Sequence, residues 1–92
     1  METRLVIQTQ KTPIEITVVR ENSVYIVRDP WTTEVTPHRE NAVYGVYFLL
    51  KRLIENYEIR SAYVVKGNSR VKADFARLQN GHLFSFAASL VP

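Results

Sequence analysis

A chain of 92 residues with 46% hydrophobic, 11% aromatic and 23% charged side chains has room for one core, and is neither disordered nor collagen-like. Cysteine is absent, which excludes disulfides, zinc–thiolate sites, iron–sulfur clusters and cysteine nucleophiles together. Twelve Lys+Arg against nine Asp+Glu leave a formal charge of +3, a basic excess that suits polyanionic partners without requiring them.

Met1-Glu2-Thr3-Arg4 leads straight into alternation, with no apolar run of the signal-peptide kind. The longest apolar stretch, residues 42–50, is about half the ~20 residues a spanning helix needs. A cytoplasmic, soluble domain over residues 1–92, with no membrane partner, is expected. Residues 5–9 are β-rich, and Ile14, Ile16 and Val18 alternate with Glu15 and Thr17 in the manner of a half-buried strand. Lys11-Thr12-Pro13 reads as the turn between these strands, and Glu21-Asn22-Ser23 as the turn into a third strand over 24–28. Asp29-Pro30 closes this three-strand antiparallel meander, because proline has no amide to give a ladder.

Thr36-Pro37 opens a long helix that runs to about Tyr57. Val43, Val46, Tyr47, Leu50, Leu53, Ile54 and Tyr57 recur at steps of three and four and share one apolar stripe. Residues 59–65 form a strand that ends at the turn chemistry of Lys66-Gly67-Asn68-Ser69. For 69–80 the pattern favours a helix, capped by Ser69 and ended at Gly81, over the alternative α+β reading with a C-terminal hairpin at Asn80-Gly81. Residues 83–91 read as a last strand.

The order is then βββαβαβ, an α/β arrangement that resembles the ribonuclease H-like fold. Asn41-Ala42-Val43-Tyr44 stands where that family often has Asn-x-Ala-Glu, and Ala62 through Ser69 stands where it often has a strand ending in Asp-Ser. The resemblance implies two divalent metals held by carboxylates on the first strand, in the long helix and at the end of the fourth strand. Here those places hold Gln8 and Gln10, Tyr44 and Asn68, so a degenerate, non-catalytic member with no cofactor is expected. An atypical carboxylate set of Glu40, Asp74 and Asp29 is the one route left to a nuclease.

Other chemistry finds little footing. His38 and His82 have no acidic or cysteine neighbour at a ligand spacing, the three glycines form no phosphate loop, and no serine lies in a nucleophile elbow. Two surfaces remain. Lys66, Asn68, Ser69, Arg70, Lys72 and Arg77 gather in or beside the expected second helix and form a candidate site for DNA or RNA, with Tyr25, Trp31, Tyr63 and Phe86 as possible stacking rings. On the long helix, Phe48 points about 160° from Leu50, away from the apolar stripe. With Tyr44, Gly45 and Arg52 it forms a candidate face for self-association, most simply as a homodimer. The rival to nucleic-acid binding is a protein-interaction or assembly module built on that face.

Overall fold

Alternating apolar residues build the first strands. The computed structural model describes all 92 residues. In β1 (Glu2–Thr9), β2 (Pro13–Glu21) and β3 (Val24–Arg28) alternate positions are buried, among them Leu5, Ile7, Ile14, Ile16, Val18, Tyr25 and Val27. A period of two puts all of these on one face of the sheet. Side chains close the turns where the backbone cannot. The Thr9 hydroxyl accepts from the amides of Lys11 and Thr12, each at 3.1 Å, and donates to the Thr12 carbonyl at 2.8 Å. Asn22 takes φ 57°, a left-handed conformation that asparagine tolerates better than most residues. After β3 the buried Asp29 carboxylate accepts from the amides of Trp31 (2.6 Å) and Thr32 (2.7 Å) and from the Thr32 hydroxyl (2.8 Å). This turn feeds β4 (Thr33–Thr36), antiparallel to β3, a strand absent from the sequence expectation.

Helix α1 (Arg39–Asn56) begins after His38, later than the Thr36-Pro37 signal suggested. The Thr36 hydroxyl instead accepts from the His38 amide at 3.2 Å. The helix buries Ala42, Val43, Val46, Leu50 and Leu53, half-buries Tyr47 and Ile54, and ends at Tyr57, its half-buried C-cap. Strand β5 (Ile59–Lys66) then pairs antiparallel with β1.

From here the chain departs from its expected course. Gly67, at φ 57°, turns β5 into β6 (Ser69–Lys72), so the hairpin turns at Gly67-Asn68 and not at Asn80-Gly81, and its second strand takes the first residues of the expected helix. Positive φ at the first turn position fits the two-residue turns that match strand twist. What remains of the expected helix is α2 (Phe75–Gln79), whose cap is Asp74 and not Ser69: its carboxylate accepts from the Ala76 amide at 3.0 Å. The expected last strand is also a helix, α3 (Leu83–Leu90), because Leu83, Phe86, Ala87 and Leu90 recur at helical spacing and bury one stripe. Arg39 holds its C-terminal end, donating to the carbonyls of Ala88 (2.9 Å) and Val91 (3.1 Å), while the Lys66 ammonium donates to Ser89 (3.1 Å). Cations are favoured there by the helix dipole.

The fold is α+β: one six-strand sheet in the order β4-β3-β2-β1-β5-β6, antiparallel at every pair, with three helices. The element order ββββαββαα replaces βββαβαβ, so the order that carried the ribonuclease H-like resemblance is not the one formed. One cluster joins the buried strand residues to those of α1 and α3, with Leu78 of α2, so the helices cover one face of the sheet. No helix is long and apolar enough to cross a membrane. In urea denaturation, Ile16→Ala and Leu50→Ala are each expected to cost about 2–5 kcal/mol, because both side chains are fully buried. Val35→Ala, at a position 59% exposed, should cost less than about 1 kcal/mol.

Candidate functional site

The second face of the sheet is uncovered, and strand register arranges its side chains in rows. One row crosses all six strands as Thr33, Arg28, Thr17, Arg4, Val65 and Arg70. It holds three arginines on alternate strands, about 10 Å apart at ordinary strand spacing, and no carboxylate. The next row runs Glu15, Val6, Tyr63 and Lys72. The Arg70 guanidinium lies 3.7 Å from the centroid of the Tyr63 ring, a cation–π stack at the β5–β6 end of the face. Arg4 meets Glu15 at 3.3 Å, and both side chains are nearly half exposed. Toward β4 the face turns apolar, with Val19, Ile26 and Val35 in one row.

The six residues expected to meet nucleic acid do not share one surface. Arg70 and Lys72 stand on the open face, whereas Lys66 and Ser69 pair on the helix side, where the Lys66 ammonium is engaged at the end of α3. Asn68 is in the β5–β6 turn and Arg77 is on α2. Because 69–72 is a strand, the phosphate site imagined at a helix N-terminus by Ser69 is not formed. Of the candidate stacking rings, Tyr25 and Phe86 are core, Trp31 is an exposed loop residue, and Tyr63 lies in the basic region. Arg4 and Arg28 were missed. Alternation alone puts both on the solvent side, but their alignment with Arg70 is visible only once register is known.

The outer side of α1 carries the second surface. Phe48 is 58% exposed and Tyr44 50%, and the Trp31 loop covers neither. Tyr47 and Phe84 join them: ring centroids are 5.1 Å apart for Tyr44 and Phe84, 5.2 Å for Tyr47 and Phe48, and 5.8 Å for Tyr47 and Phe84. Arg52 is exposed on the same side. Gly45 lies at the edge of this face and lines one groove with Phe48 and Arg52. It lies beneath β4, where a Cβ would stand 3.2 Å from Glu34 Oε2.

Asp29 is committed to its turn and Asp74 to the cap of α2, and with Glu40 they form no group of three that can hold a metal. Compared with protein-family models, curated proteins and solved structures, the chain finds no significant match. Its two surfaces are therefore read from their own chemistry. Gly45→Ala should raise stability by about 0.5–1 kcal/mol in thermal or urea unfolding. The helix gains propensity, and the only close neighbour is the far end of the flexible Glu34 side chain.

Proposed function

We propose that this is a non-catalytic domain that binds an unpaired strand of DNA or RNA across the open face of its sheet. The reading rests on one observation, the row of Arg28, Arg4 and Arg70 with Tyr63 beneath the last of them. Arginines at intervals of about 10 Å offer bidentate donors to phosphates spaced along one backbone. An unpaired base can stack on the outer face of the Arg70 guanidinium, whose inner face rests on Tyr63, and Lys72 beside it adds positive charge. The Arg4–Glu15 pair is no obstacle, since an exposed ion pair is worth at most about 1 kcal/mol and a phosphate can replace the carboxylate. An uncovered, broad sheet suits a flexible single strand better than the groove of a duplex. The setting proposed is cytoplasmic.

The exposed rings of α1 favour a second role, assembly, which occupies the opposite side of the molecule and does not compete with the first. Binding is tested by fluorescence anisotropy with labelled single-stranded DNA and RNA at about 50 mM salt, where phosphate contacts are strongest. The wild-type chain should bind, with log K falling against log[salt] at a slope of about −2 if three phosphates are neutralised. Arg28→Gln and Arg70→Gln should each reduce that slope by about 0.7, and Tyr63→Ala should weaken binding by about 1–3 kcal/mol. Absence of binding, or an Arg70→Gln variant that binds like the wild type, refutes the proposal.

A further inference from the structure

Four consecutive turns of α1 expose Glu40, Tyr44, Phe48 and Arg52. Residues four apart form a continuous ridge on a helix. At about 100° per residue this ridge is centred opposite Val46, the residue that faces the sheet and is wholly buried. It therefore points directly away from the chain's own core. Its composition is acid, ring, ring, base, and the members are placed symmetrically: Glu40 and Arg52 are equidistant from Val46, as are Tyr44 and Phe48. Neither terminal charge has an ion-pair partner within the chain, whose one salt bridge is Arg4 with Glu15.

A ridge of this pattern is its own complement when reversed. We infer that α1 pairs antiparallel with α1 of a second copy of this chain, about a twofold axis beside Val46. Tyr44 then meets the partner's Phe48, and Glu40 meets the partner's Arg52, each contact occurring twice. Ridges of the four-residue kind pack on one another at crossing angles of about 50°, which brings the two rows alongside along their length. Tyr44, Phe48 and Phe84 each leave about half of their surface exposed, together about 300 Å², a fitting apolar centre for a standard interface of ~800 Å² per partner. Exposed Asn41, Lys51 and Glu55 surround the ridge as a polar rim. The Glu40 end supplies what the rings alone lack, an electrostatic reason for the antiparallel sense, since a parallel pair would place like charges together. In such a dimer the helix layers meet in the middle and both open sheet faces point outward, so the inference stands apart from nucleic-acid binding.

The test exploits the symmetry. Glu40→Arg leaves only arginine at the ends of the ridge, and Arg52→Glu leaves only glutamate, so each variant alone repels its own copy. Mixed in equal amounts, the two restore opposite charges at both ends. Sedimentation equilibrium, with circular dichroism to confirm the fold, should show a wild-type dimer, at least a tenfold weaker dimer for each variant alone, and a heterodimer of wild-type strength in the mixture. Phe48→Glu should be monomeric throughout. A wild-type chain that stays monomeric at about 100 µM overturns the inference. So do folded variants that dimerise as the wild type does, or a mixture that fails to recover the dimer.

Discussion

Six antiparallel strands present two faces, and the residues left after the strands are made can cover only one of them. Helices α1 and α3 take the face that carries Leu5, Ile7, Ile14, Ile16 and Val18, and close it into a single core. Each of these side chains contributes about 1.5–3 kcal/mol by leaving water, and nothing else of comparable size is on offer in a chain without cysteine. The polar contacts follow from this burial. Arg39 and Lys66 donate to the last carbonyls of α3 and tie its end to α1 and β5, and Asp29 satisfies the turn that returns the chain toward β4.

A sheet covered on one side must solvate the other with its own side chains. Here the uncovered side is uneven: aliphatic in the row of Val19, Ile26 and Val35, arginine-bearing in the row of Arg28, Arg4 and Arg70 that crosses from β3 to β6. The unevenness gives the surface a direction, because an anionic chain is attracted to one part of it and not to the rest. The helix layer has the converse asymmetry. Its inner side is ordinary core, while its outer side bears aromatic rings that a solitary domain of this size has no folding reason to expose. Both surfaces are open to water and present their side chains for contact.

Local periodicity made the first half of the chain legible. The meander, the buried stripe of α1 and strand β5 all follow from patterns several residues long in which every position agrees. Strand β4 escaped because four residues with a single buried member, Thr36, carry no alternation to read. Residues 69–80 were misread because Val71 and Phe75 fit a helical stripe, whereas Val71 is 62% exposed on an edge strand fixed by the preceding Gly67 turn. For α3 the signal was present: Leu83, Phe86, Ala87 and Leu90 have helical spacing, and an apolar run of that length passes equally for a buried strand. The aromatic face was legible through Phe48, but not the approach of Glu34 to Gly45, because Glu34 belongs to the strand that was missed. Tertiary proximity hid the remainder, since no sequence pattern aligns Arg28 with Arg70.

The division of labour between the two faces is the central claim, and one amide-resolved NMR map tests it directly. On addition of a short single-stranded oligonucleotide, the resonances of Arg4, Arg28, Tyr63 and Arg70 should shift while those of Glu40, Tyr44, Phe48 and Arg52 hold still. On dilution of the free protein, the second set should shift and the first hold still. Movement of the α1 ridge with the oligonucleotide, or of neither set in either experiment, would contradict the account.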